Sequence, residues 1–518
     1  MLYKRLFFLM IVIPLVLSAG IKNLTLSRAM TLLNKNNLEL KISRFTEQMK
    51  AYEAKAAKGH KYGKLDASIT AMRSNDAGNV FGFKLQSREA TFGDFGAEEF
   101  FDNFNASRDP FSPPPGNLNN PKARNHYQTK FSYILPIYTG GKLSEYGRIT
   151  FAMHRMSQYD TQNLLNEKVF QTKKAFYDIS LVSNYIYNLS KIIKNIKHLE
   201  IIVNTMKKEG YAQNIDVLEV QARKAEVQSM YNQAKLNKDL AYQFLSFLVN
   251  KEVSSIKKMN DKAPMPRVNK RILEANNIDI QKALLGLQIT QMALNVEKSN
   301  YYPEIGAFAE YGSADNVLWN EFFDKDAYTV GVQLKWNIFN GGIDDANLEK
   351  AKVNYLMVND QVKLAKKGIA LKAKKLKTEV LSANSDIESY NKQLRFTKKV
   401  YQNYRGRYKE GMVSISDVLI KQSKELEVLL KLLTAKNSRN TKIFELEALM
   451  NKQKSASVYN IAKIVKVVDA NKSKIVDANK TNLEKKTLKS IDSNKTTEKS
   501  KPVKQMETNS TRVKGDDS

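Results

Sequence analysis

The sequence predicts an α+β fold with an internal structural duplication, in which each half joins a pair of β-strands to a very long α-helical hairpin. Three observations carry this. The 518-residue chain contains only 22 Gly and 11 Pro, too few loop formers for several compact domains, which points to long uninterrupted helices. Landmarks of the first half recur in the same order in the second. Two segments alternate apolar and polar residues with the period of a strand that has one greasy and one wet face.

Among the landmarks, Asn36-Asn-Leu-Glu-Leu40 is echoed by Asn276-Asn-Ile-Asp-Ile280 at an offset of 240 residues. Ile137-Tyr-Thr-Gly-Gly141 is echoed by Ile338-Phe-Asn-Gly-Gly342 at an offset of 201. The same 201 relates Lys208-Glu-Gly210, Asp216-Val-Leu218 and Gln221 to Lys409-Glu-Gly411, Asp417-Val-Leu419 and Gln422. The 39 extra residues of the first half fall in 75–126, where Pro113-Pro-Pro115 and Asn119-Asn-Pro121 read as an irregular loop. A first repeat over 20–262 and a second over 263–454 follow.

Each repeat opens with a helix, over 24–58 and 268–300, with Thr25 or Ser27 as the first N-cap. Two strands come next. The clearer ones set Tyr127, Thr129, Phe131, Tyr133, Leu135 and Ile137 against Gln128, Lys130 and Ser132, and Tyr328, Val330, Val332, Leu334, Trp336 and Ile338 against Thr329, Gly331, Gln333, Lys335 and Asn337. The weaker ones carry Leu65, Ala67, Ile69 and Ala71, and Ile305, Ala307, Ala309 and Tyr311. After each Gly pair runs a Pro-free stretch of 67 residues, Lys142–Lys208 and Ile343–Lys409, about 100 Å long as helix. Apolar residues step by three and four within both, as at Ile179, Val182, Ile186 and Leu189, the spacing of coiled-coil pairing. Gly210 and Gly411 then break the helices, and a second helix returns from about Asp216 or Asp417, giving hairpins over 142–250 and 343–454.

The ends differ in character. Residues 1–19 read as a signal peptide: Lys4 and Arg5, an apolar run over 6–17, and small residues at Ser18 and Ala19. Residues 455–518 read as a disordered tail, rich in Lys, Ser, Thr and Asn with one aromatic, Tyr459, and too poor in apolar surface to offset ordering entropy. There Asn471, Asn479, Asn494 and Asn509 each follow an acidic residue by two and precede a hydroxyl residue by two. The pattern resembles the acceptor sequon of bacterial N-glycosylation, and such a composition also produces it by chance.

Several function classes are disfavoured. Without cysteine there is no thiolate nucleophile, disulfide framework or thiolate metal site, and His60, His126, His154 and His198 have no ligand-pair spacing, so neither metal nor cofactor is expected. Gly140-Gly-Lys-Leu-Ser144 resembles a phosphate loop but lacks its upstream glycine, and no other catalytic constellation argues for an enzyme. The net charge of +30 would suggest nucleic acid, but a signal peptide argues against that partner. Four greasy strands cannot close a membrane barrel, which needs about eight or more, so they must pack on the chain's own helices or be completed by further copies.

At this point the residues resemble a known family. The strand ends Pro136-Ile-Tyr-Thr-Gly-Gly-Lys142 and Asn337-Ile-Phe-Asn-Gly-Gly342, and the hairpin segment Arg407-Tyr-Lys-Glu-Gly-Met-Val-Ser-Ile-Ser-Asp-Val-Leu419, are similar to those of TolC-like outer membrane efflux proteins, over residues 24–453. The resemblance implies a homotrimer in the outer membrane lipid, four strands per chain forming a twelve-stranded outer-membrane β-barrel, continued by a long α-helical coiled-coil periplasmic tunnel. It implies a channel of a tripartite efflux or type I secretion system, fed by an inner-membrane transporter through a periplasmic adaptor. The alternative is a periplasmic structural coiled-coil protein.

By the same resemblance Gly210 and Gly411 are hairpin tips at the adaptor-docking surface, and the 75–126 loop lies at the outer surface. Asp417 matches an acidic ring at the periplasmic mouth, and Asp216 with Tyr408 a hydrogen-bonded latch, together a periplasmic gate. Ile420 stands where the family often has a second acid, and Val413 where it usually has Arg. Read without the resemblance, Asp216 and Asp417 are N-caps of the returning helices, and both roles stay open.

Overall fold

The computed structural model describes residues 20–259 and 262–450. The 1–19 segment and the tail carrying Asn471, Asn479, Asn494 and Asn509 lie outside the described residues.

The first repeat runs α1 (Leu26–Asn36), α2 (Leu38–Gly59), β1 (Lys64–Ser74), α3 (Ala77–Gln86), α4 (Ala97–Asn105), α5 (Gly116–Asn119), β2 (Arg124–Thr139), α6 (Lys142–Lys208) and α7 (Asn214–Val249). The second runs α8 (Lys270–Asn276), α9 (Ile278–Ser299), β3 (Glu304–Asp315), β4 (Asp326–Lys335), α10 (Ile343–Lys409) and α11 (Ile415–Leu449). Of the two candidate first caps it is Thr25 that serves, its hydroxyl accepting the Arg28 N–H at 3.3 Å. The segment between β1 and β2, expected to be irregular, instead holds three short α-helices. Asp76 caps the first of them by accepting the Asn79 N–H at 3.0 Å, and Phe83 stacks on His126 of β2 at 4.1 Å between rings.

The four strands form one antiparallel sheet in the order β1-β2-β3-β4. Its register aligns the apolar positions of every strand: Ala67 opposes Phe131, Phe131 opposes Tyr311, and Tyr311 opposes Tyr328. One face is therefore continuously greasy. On β4, Tyr328, Val330, Val332 and Leu334 are 61–77% exposed, an apolar surface that calls for a cover other than water. The other face is wet and carries the Lys130–Glu310 ion pair at 2.7 Å. The alternation expected through Ile137 stops sooner, because a register shift between Pro136 and Tyr138 bulges Ile137 out of the ladder. Trp336 and Ile338 lie beyond the end of β4.

The helices form a layer. Towards the sheet α2 packs on α6, α6 on α9 and α9 on α10; towards the far end α7 packs on α6, α6 on α11 and α11 on α10. The unbroken columns α6 and α10 begin after Gly141 and Gly342, whose positive φ of 91° and 84° turns the chain from sheet into helix. The other two columns are spliced. Asn37, with extended backbone, ends α1 and starts α2: its Oδ1 accepts the Leu40 N–H at 2.9 Å and its Nδ2 donates to the Leu248 carbonyl at the end of α7, also at 2.9 Å. Asn277 repeats this with the Ile280 N–H at 3.0 Å and the Leu449 carbonyl at 2.9 Å. The opening helices, expected as single pieces, are broken by the second Asn of the duplicated Asn-Asn motif, which joins α2 to α7 and α9 to α11.

Candidate tunnel mouth

The far ends of the two hairpins share one apolar core. Ile196, Leu199 and Val203 of α6, Val220 of α7 and Val418 of α11 have no solvent exposure, and Tyr401 and Tyr408 of α10 are nearly buried among them. Apolar residues recurring at steps of three and four put one stripe of each helix into this seam, which is why the hairpins stay paired to their tips.

At the tips α6 and α10 end in the same backbone device. The Tyr211 N–H donates back to the Met206 carbonyl at 2.8 Å, and the Met412 N–H to the Arg407 carbonyl at 2.9 Å. Gly210 and Gly411 complete the two turns with φ of +82° and +70°. A Cβ at either position would meet nothing within 4 Å, so the demand for glycine comes from the sign of φ and not from crowding. Tyr211, Ile215, Met412 and Ile420 are exposed around the tips.

The acidic residues sit further into each returning helix than an N-cap would. The caps are Gln213 and Ser414, and Asp216 and Asp417 occupy the third helical position of a capping box. Asp216 Oδ2 accepts the Gln213 N–H at 2.7 Å. Asp417 Oδ2 accepts from Ser414 Oγ at 2.7 Å and from its N–H at 3.2 Å, and these bonds hold the Asp417 carboxyl below the usual range. Both Asp residues remain partly exposed, so a capping role and a charge at the mouth are compatible.

Asp216 and Tyr408 are brought near each other without bonding. Burial, reinforced by the Asp216 charge, pushes the Tyr408 hydroxyl above its ordinary pKa, yet the Tyr408 Oη has no hydrogen-bond partner among the described residues. The latch drawn from the resemblance is therefore unmade within one chain. Other bonds tie the two hairpins together. Ser416 Oγ donates to Glu219 at 2.7 Å, and the nearly buried Arg223 donates through Nε to Gln422 Oε1 at 3.4 Å, while its Nη1 is held within α7 by Glu226 at 2.5 Å. Sequence reasoning missed these ties. The one available signal was the duplicated Gln221 and Gln422, of which only Gln422 is buried.

The chain is thus a greasy-faced four-stranded sheet continued by a four-column helical layer. Residues 271–452 match the family model for outer membrane efflux proteins. No curated protein matches. Among solved structures, the Campylobacter jejuni CmeC outer membrane channel is 16% identical with a TM-score of 0.68, over 85% of this chain and 88% of that one. CusC, described in terms of transmembrane channel formation, is 13% identical with a TM-score of 0.69, over 82% and 91%. The open-state Neisseria gonorrhoeae MtrE outer membrane channel is 13% identical with a TM-score of 0.65, over 82% and 88%. The chain is thus TolC-like in fold, as its motifs suggested, and its second repeat carries the efflux-protein sequence pattern.

Proposed function

We propose that three copies of this chain close into an outer-membrane channel that conducts substrates from an inner-membrane transporter, through a periplasmic adaptor, to the exterior. One observation carries the reading: sheet and helix layer are both left open at matching edges. Among the described residues β1 and β4 each have one unpaired side. Below them, the edge helix α2 exposes Leu38, Ile42, Phe45, Met49 and Tyr52, and the opposite edge helix α10 exposes Val353, Met357, Leu364 and Leu371. These are steps of three, four and seven, the spacing of a coiled-coil seam that lacks its partner. Two different edges that complete one another make a head-to-tail contact, which closes as a ring. Three copies bring the sheet to twelve strands, enough for a barrel with an aqueous lumen, with the greasy face towards lipid.

The exposed tips at Gly210 and Gly411 suit adaptor docking, and Asp417 in three copies would place negative charge around the mouth. Ile420, one turn further on, adds no second charge there. The family match and the likeness to outer-membrane channels support this reading over a structural rod, which would leave the greasy sheet face without purpose. The test is purification from membranes followed by planar-bilayer recording. Detergent-solubilised trimers with single-channel conductance are expected; a chain released without detergent and giving no conductance would sink the proposal.

A further inference from the structure

The helical layer carries a concentration of positive charge that the channel reading does not use. Residues 363–377 of α10 hold seven Lys and no acid, and the strap 250–271, which follows α7 and runs into the first two residues of α8, holds seven Lys or Arg against two acids. Lys363, Lys366, Lys367, Lys374 and Lys377 recur at helical spacing on one flank, and all but the half-buried Lys366 are exposed. On that flank only Lys363 has an acid within ion-pair reach among the described residues, Asp360 at 2.7 Å. On the strap Lys257, Lys258, Lys262, Arg267, Lys270 and Arg271 are exposed too, with Lys270 loosely paired to Glu274 at 4.0 Å.

Strap and flank lie on the same side of the layer. Arg439 of α11 donates to the strap carbonyl of Ala263 at 2.9 Å and to Asn384 of α10 at 2.6 Å. Asn384 continues the heptad row of Lys363 and Lys377. In a closed tunnel this must be the outer side, because three straps crossing inside would fill the lumen; this step rests on the trimer proposed above.

We infer that this basic belt docks the tunnel against the carboxylate-bearing peptidoglycan of the cell wall. Depth selects the occupant. Lys363 and Lys377 lie about 30 and about 50 Å down α10 from its start below the sheet, several times the ~8 Å screening length at physiological salt, so membrane headgroups are out of reach. The chemistry selects it as well. Apart from Arg267 and Arg271 the belt is lysine, a mobile point charge without the planar fork that clamps one defined anion, and a ring of such charges suits a repeating polyanion better than a single shaped ligand.

The experiment is co-sedimentation of the full-length, detergent-solubilised protein with purified peptidoglycan sacculi. Retention is expected to fall at least about tenfold between about 50 mM and about 500 mM salt, as it should for exposed, screened charges. It should fall similarly with carbodiimide-blocked sacculi and in the variant Lys363→Glu/Lys367→Glu/Lys374→Glu/Lys377→Glu. The neutral Gln variants at the same positions give a milder charge change in case reversal disturbs folding. Equal charge reversal at Lys55, Lys58, Lys392 and Lys399, away from the belt, should leave retention intact. Retention insensitive to the belt substitutions, or vesicles of anionic lipid bound in place of sacculi, overturns the inference. Oligomeric state and conductance are scored separately, so a conducting trimer that ignores sacculi sinks the belt alone.

Discussion

Replacing Asn277 by Ala tests the splice between α9 and α11. The side chain is 3% exposed and makes two bonds: Oδ1 caps α9 at the Ile280 N–H, and Nδ2 satisfies the Leu449 carbonyl. Losing an N-cap costs about 1 kcal/mol. Leaving a buried acceptor without its donor costs a further ~1–3 kcal/mol. The expected destabilisation is thus about 2–4 kcal/mol per chain, read as faster amide exchange through α9 and the last turn of α11. Asn277→Ser separates the two contributions, since a hydroxyl still caps but cannot reach the Leu449 carbonyl; only the second loss should remain. Asn37→Ala should repeat the effect in α2, and the double variant should be additive because the two splices share no partner. A loss below about 0.5 kcal/mol in Asn277→Ala, within the range of an ordinary surface substitution, would refute the claim that these asparagines hold the columns together.

Three further outcomes are expected. Gly411→Ala and Gly210→Ala force a side chain into left-handed backbone at about 1–2 kcal/mol each, so limited proteolysis should begin at the altered tip; wild-type resistance would contradict the φ argument. On β4, Val332→Arg should impair membrane assembly by about 2–4 kcal/mol while its neighbour Gln333→Arg is tolerated, and equal effects in a detergent-resistance assay would mean the greasy face has been misassigned. Asp417, whose carboxyl is held low by its Ser414 bonds, adds stability that is present above the unfolded carboxylate pKa and lost as pH falls through its lower folded value. Amide exchange in the first turn of α11 should accelerate in acid, and Asp417→Asn should abolish that pH dependence; a variant that keeps it would exclude Asp417 as the source.

Much of the architecture was legible because it rests on local rules. A Pro-free run of 67 residues bounded by glycines is a long helix wherever it occurs, and alternation at Tyr127, Thr129 and Phe131 is a strand with two unlike faces. The duplication made each element visible twice. The mouth was less legible. Gly210 and Gly411 announce a turn in the sequence, but whether space or backbone sign demands glycine depends on neighbours. The N-caps at Gln213 and Ser414 lay three residues before the acids that drew attention, because Asp is favoured both at a cap and in the turn after it.

The sequence by itself determined the repeat, the strand faces, the long helices and their turning points, since these follow from periodicity and from the conformational preferences of Gly and Pro. Only the tertiary structure decided what crosses between elements. It turned the Asn-Asn motif into a splice to a carbonyl 172 residues away, left the Tyr408 hydroxyl without a hydrogen-bond partner among the described residues, and tied Ser416 to Glu219. It also packed Val268 of the strap against the cluster that holds Ala373 and Leu376 of α10. Such pairings join residues far apart in the chain, and no local preference encodes which side chain will face which across a packed layer.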